Sequence, residues 1–364
     1  MRDSDCGSGI CVCDPHTVAG RCTASNCRVD ADCGANSLCA TSGQICSYET
    51  FQCTSTEDEC LSNLDCGTNG ATCVFQDGRR TCNGAVCGRP FLVADAPRWA
   101  EIEPRADWLE ASDLPDPSGL SPLARAELAA HWSRLGQMEH ASIAAFARFN
   151  LQLLSLGAPA ELIEACHRAL SDETTHARLC FGFASRYAGA PLGPGKLEIR
   201  DCFGDSDLRA ILKLVLREGC LGETVAALEA LQAAALTTDR AVKGALLRIA
   251  CDEQAHAELA FKFLRWGLAE CSPEARAELA EDAEQVLAEY ERAALERACI
   301  PGDRALEGHG VLAGETLRAV HLGALREVVR PLLAALLPDA QGSRNLAQRP
   351  PRHCADSGVV ATTE

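Results

Sequence analysis

Two decapeptides carry the residue types best suited to chemistry, SDETTHARLC at Ser171–Cys180 and CDEQAHAELA at Cys251–Ala260. They match at Asp, Glu, His, Ala and Leu over a separation of 80 residues, and a Phe follows each in register. Each sets Glu and His three apart, Glu173 with His176 and Glu253 with His256. On a helix that spacing leaves the two side chains about 60° apart, so both can reach one ion. Both pairs interrupt the apolar stripe of their helix, where an unpaired carboxylate is strongly destabilising. A cation between them removes that cost. Carboxylates mixed with imidazole suit iron or manganese better than calcium or a structural zinc.

The stripes define the elements that must position these groups. Ser121-Pro122 places an N-cap before a proline at the first helical position, and predicts a helix running to about Leu156, ahead of Gly157. Its inward residues step by three and four through Leu128, Trp132, Leu135, Glu139, Ser142, Phe146, Phe149 and Leu153. A second helix opens at Pro159, turns Ile163, Cys166, Leu170, Glu173, Ala177 and Cys180 inward, and ends in Gly189-Ala190-Pro191. After a crossover of about twenty residues, a third helix is expected from Asp207 to Leu236. Thr237-Thr238-Asp239 then turns the chain, with Thr238 as N-cap of a fourth helix that faces Leu246, Ile249, Glu253, His256, Ala260 and Phe263 inward. Two tight hairpins joined by one long connection predict a mainly α protein with a four-helix bundle over 121–270. Two further helices, about 273–298 and 312–337, are expected to pack on the bundle within 271–338, and the tail 339–364 lacks periodicity and is expected to be disordered. On the third helix, Glu223 and Glu218 lie 30 and 35 residues before Glu253. They flank the buried face about 140° apart, and either could serve the site.

This arrangement resembles the ferritin-like di-iron carboxylate superfamily, in which two helices give a Glu each and two give Glu-x-x-His. The rubrerythrin branch is most similar, since E-Q-A-H-A-E-L-A-F-K-F-L follows that branch's E-x-x-H-A-x-x-x-F-K-F-L. The resemblance implies two iron ions, or manganese, bridged by carboxylates and held by Glu139, Glu173, His176, Glu223, Glu253 and His256. Gly222-Glu223-Thr224 looks more like the family's third-helix ligand, leaving Glu218 as a replacement or an outer acid. Asp172 and Asp252 precede the ligand acids and are placed either to accept the second N–H of a bound imidazole across the bundle or to face solvent. Glu164 and His167 repeat the spacing on the outer face and read as solvated. His140 reads as a packed or surface histidine.

Fourteen of the 22 cysteines fall in the first 87 residues, in a segment of Cys, Gly, Asp, Ser, Thr and Asn with little aliphatic content. Residues 1–88 therefore read as a module stapled by disulfides, and the spacing C-x5-C and C-x4-C, without paired C-x2-C, disfavours zinc. Asp-Cys-Gly recurs at Asp5, Asp32 and Asp65, and Cys27 and Cys60 precede the second and third copies at equal distance. The equivalent position in the first copy falls just before Met1, so the chain is expected to start inside a repeat, with an export signal, and room for a lipid anchor, upstream. These repeats resemble the short Cys-rich modules of exported bacterial proteins, which implies an exported chain. Residues 89–120 form a Pro/Asp-rich linker that can lie against the helices. Among later cysteines, Cys166, Cys180, Cys220 and Cys251 read as core fillers, and Cys202, Cys271, Cys299 and Cys354 as disulfide candidates.

A net charge of −17 disfavours nucleic acid and anionic membranes, and no apolar run is long enough to span a bilayer. The expected function is a di-iron oxidase or oxygenase acting on dioxygen or peroxide with an unidentified reductant, Phe146, Phe149, Phe181 and Phe183 being candidates to line a substrate pocket. The alternatives are a rubrerythrin-like iron or peroxide handler without organic substrate, and a surface interaction protein that uses its Cys-rich repeats.

Overall fold

The computed structural model describes residues 91–93, 96–109, 113–203, 207–296 and 304–337, with six short strands and a few flanking positions before them. The chain is mainly helical. Strands β1 (Ile10–Cys13), β2 (Gly20–Thr23), β3 (Cys39–Gln44), β4 (Ser47–Cys53), β5 (Thr72–Gln76) and β6 (Arg79–Asn83) form three antiparallel hairpins. In each hairpin a cysteine stands opposite a cysteine: Cys11 opposite Cys22, Cys39 opposite Cys53 and Cys73 opposite Cys82. The hairpin register thus follows the Asp-Cys-Gly repeat of the sequence. Cys27–Cys39 and Cys33–Cys53 are at disulfide distance, and these cross-links supply the order that so short a core cannot.

Short strands β7 (Leu92–Val93), β8 (Ala96–Pro97) and β9 (Ile102–Glu103) carry the linker onto the helices. Phe91 and Val93 are buried against Ala141 and Ala145, and Gln137 donates to the Ala100 carbonyl at 2.7 Å. Helix α1 (Pro122–Ser155) starts where expected, with Ser121 Oγ accepting from Ala124 N at 3.1 Å. Helix α2 (Ala160–Ala188) runs back along it and ends at Gly189, whose φ of 71° closes the last turn in the left-handed conformation that glycine adopts without strain. A β10 (Gly193–Pro194) to β9 pairing secures the crossover.

The third helix departs from the expected straight rod. It consists of α3 (Leu208–Val215), a π-helical segment (Leu216–Glu223) and α4 (Thr224–Leu236). Helix α5 (Arg240–Ala269) packs along α4, the π segment and α2. Its N-cap is Asp239, which accepts from Val242 N at 3.0 Å, whereas Thr238 Oγ1 turns to the Gly308 carbonyl. The second carboxylate oxygen of Asp239 also accepts from Asp116 N, which explains why the acid wins the cap. Helices α6 (Pro273–Glu296), α7 (Arg304–Glu307), α8 (Gly314–Gly323) and α9 (Arg330–Leu336) follow, with a second π segment (Ala324–Val329) inside the expected last helix. Buried His321 on α8 joins Tyr290 on α6 to the Glu229 carboxylate on α4, and so ties these helices to the rest. The tail from 339, Cys299 and Cys354 lie outside the described residues.

Two apolar clusters divide the helical region. One gathers Phe146, Phe149, Leu162, Ile211, Val215 and Phe263, and the other Leu128, Trp132, Phe183, Tyr187, Leu246 and Ile249. On α1, α2 and α5 alike, the acids and histidines of interest fall in sequence between the two clusters, which leaves one polar layer inside an apolar stack. Three cysteine expectations need correction. Cys202 and Cys271 are free thiols, and Cys251 is exposed, because its neighbours Ile249 and Glu253 take the inward face of α5. Replacing Asp239 with Ala should lower stability by about 1–2 kcal/mol in urea unfolding. Thr238→Ala should cost clearly less, and an equal loss would contradict the cap assignment.

Candidate metal centre

The acids and histidines of the twin decapeptides meet across the α2–α5 seam. Glu173, His176, Glu253 and His256 are at most 2% exposed. His176 Nδ1 lies 3.3 Å from Glu253 Oε1 and 3.6 Å from Glu139 Oε2, while His256 Nδ1 lies 3.1 Å from Glu173 Oε1 and 3.5 Å from Glu253 Oε2. Two groups with metal-ligating atoms within 4.8 Å of one another result: Glu139, Glu173, His176 and Glu253, and Glu173, Glu223, Glu253 and His256. They share Glu173 and Glu253. All six residues singled out in the sequence are therefore brought together.

The outer ring nitrogens are fixed by the acids that precede the shared carboxylates. His176 Nε2 meets Asp252 Oδ2 at 3.1 Å, and His256 Nε2 meets Asp172 Oδ2 at 3.4 Å. Each aspartate thus serves the histidine of the opposite helix. In a neutral imidazole, an Nε2 proton directed to that carboxylate would leave the Nδ1 lone pair facing the cluster, the tautomer a metal ligand requires. Arg248, one turn before Asp252, approaches its carboxylate at 3.6 Å.

A test of whether a cation fits comes from the buried atoms. Both carboxylate oxygens of Glu173, Oε2 of Glu253, and Nδ1 of His176 and of His256 make no well-directed hydrogen bond, close as they stand to one another. Buried polar atoms are satisfied almost without exception, so five such atoms converging on one spot point to a species that accepts their lone pairs. The electrostatics of the layer point the same way. Burial, with repulsion from Glu253 and Glu139, pushes the Glu173 carboxyl well above the usual carboxylate range. Burial pulls both imidazoles down, yet the acids around them win and hold His176 and His256 well above the ordinary histidine value. In each case the site draws in positive charge. The donor set of four carboxylates and two imidazoles fits a pair of hard or borderline divalent cations.

The π segment explains how the third helix takes part. Hydrogen bonds from i to i+5 widen the turn, so residues five apart come onto one face instead of diverging by about 140°. Glu218 and Glu223 are consequently both buried, each 1% exposed. Only Glu223 joins a metal-ligating group. Glu218 pairs with Arg148 of α1 at 2.7 Å, so the two acids have different surroundings. Sequence reasoning missed Arg148 and the π segment; two acids five apart, with Gly219 and Gly222 between them, were the available signal. Gly219 is the position where the helices touch: a Cβ there would meet the Ala260 Cβ at 2.5 Å.

Glu164 and His167 are exposed, and His140 packs edge-on against Trp108 at 5.0 Å. The four phenylalanines are spread over the core, Phe146 and Phe149 in one apolar cluster and Phe183 in the other. Phe146 stands edge-on to His256 at 5.1 Å, Phe149 packs on Phe263, Phe181 backs Gly136, and Phe183 meets Trp132 in the other cluster. No protein-family model matches the chain, and neither the curated proteins nor the solved structures contain a match to it. Asp252→Asn and Asp172→Asn should each weaken divalent metal binding about 10–100-fold, read by competition with a chelator. Unchanged affinity in both would contradict the role given to the crossed pairs.

Proposed function

We propose that residues 121–270 form a ferritin-like four-helix bundle holding two iron ions, and that the protein reduces dioxygen or peroxide there in an exported compartment. The observation that carries this reading is the pair of four-residue groups that share Glu173 and Glu253, with both Nδ1 atoms turned inward. Two iron ions would supply the redox chemistry, with electrons from an external reductant. Four carboxylates balance the charge of two divalent cations, so the occupied site is neutral and its burial loses most of its electrostatic cost.

The chain's own residues define what the site can do. His176 and Glu139 would complete one group, and His256 and Glu223 the other. Asp252 and Asp172 would hold the imidazoles in orientation and keep them electron-rich. Glu139, with a side chain 15% exposed, is the most accessible of the six, so small molecules would approach from its side. Phe146 beside His256 would keep that end of the site dry. The reading without an organic substrate, in which iron or peroxide is itself the species handled, is the alternative. The cysteine pairs at disulfide distance support an exported protein.

Anaerobic loading with Fe(II) should give about two irons per chain and, on admission of oxygen, a near-ultraviolet band. Glu173→Ala should abolish both, because it removes a member of both groups. Binding of a single iron that survives this substitution would overturn the proposal. Peroxide turnover without an organic acceptor would select the handler reading over the oxygenase.

A further inference from the structure

One buried charge pair lies beside the proposed site without belonging to it. Arg148 and Glu218 have side chains 4% and 1% exposed, and Arg148 Nη2 meets Glu218 Oε1 at 2.7 Å. The arginine also donates to the Leu92 carbonyl and, at 3.3 Å, to the Cys202 carbonyl, and its guanidinium sits 5.0 Å from the centre of the Phe91 ring. Leu92 N donates back to Glu218 Oε1 at 3.3 Å. Four segments thus converge on the pair: the linker, α1, the crossover and the π segment.

The chemical problem they solve is a surplus acid. Glu218 and Glu223 are stacked on one face of the same π segment, both buried, and side chains one turn apart are neighbours. Two divalent cations balance four carboxylates, and a fifth would overcharge the layer. We propose that Arg148 is a positioning residue for the metal site: by holding Glu218 against the linker strand it keeps that carboxylate off the metals and leaves the place to Glu223. The linker contributes through Leu92, whose amide and carbonyl lock the two side chains in their pairing. This rests on the two-metal reading above.

Cobalt(II) alone, titrated into the full-length protein, serves as probe through its visible bands and a chelator competition. Wild type should bind two ions. Arg148→Met frees Glu218 and should shift the cobalt bands and tighten binding at least about tenfold, since affinity follows the number of charged ligands. Arg148→Met with Glu218→Leu replaces the pair by apolar side chains of similar bulk, which buried pairs tolerate, and should restore the wild-type bands and affinity. Arg148→Lys keeps the charge and should resemble wild type. Wild-type bands in the Arg148→Met protein would overturn the inference, as would loss of an ion in the double variant, which would make Glu218 itself a ligand. If Arg148→Met does not fold, the double variant and Arg148→Lys decide the matter on the same criteria. A wild type that binds no cobalt or iron would defeat the metal reading itself, and this inference with it.

Discussion

Carboxylates crowded into an apolar interior repel one another, lose their hydration and find too few donors to replace it. Glu139, Glu173, Glu223 and Glu253 are in that position, with only two imidazoles among them. The surrounding structure follows from this constraint. Two apolar clusters hold the polar layer between them and fix the helices that carry it. The shared acids keep oxygens without a well-directed hydrogen bond, and the imidazoles turn their outer nitrogens to aspartates on the opposite helix. The layer's geometry is one that could hold metal ions.

The third helix shows how backbone geometry answers the same demand. A regular α-helix could turn only one of Glu218 and Glu223 fully inward, whereas the π segment turns both. One of the two acids then needs a partner outside the site, and Arg148 supplies it. Gly219 lets the widened segment approach α5 at Ala260, and the linker seals the pair from solvent through Phe91 and Leu92. The segment that joins the Cys-rich part to the helices is therefore built into the wall of the site.

Much of this was legible in the residues. The helices α1, α2 and α5 follow from stripes stepping by three and four, and the six clustered side chains from their interruption of those stripes. Local signals read well where the deciding contact is local, as with the Ser121 cap. They fail where a distant partner decides. Asp239 takes the cap from Thr238 because Asp116, far away in sequence, also binds it. Arg148 could not be paired with Glu218 from periodicity, since neither residue's position names the other, and the widened turn shows in the sequence only as two acids five apart. The unpaired state of Cys202 and Cys271 is likewise a matter of tertiary distance. In the Cys-rich segment the stapled module was legible in the cysteine content, whereas the three hairpins with cysteine opposite cysteine were not read from the repeat.

The central claim is that two cations occupy the space between Glu173 and Glu253. Anomalous scattering from crystals of the iron-loaded protein tests it most directly. The account predicts two peaks about 3.5–4 Å apart, one beside His176 Nδ1 and the other beside His256 Nδ1. A single peak, or none at these histidines in a protein saturated with iron, would contradict it.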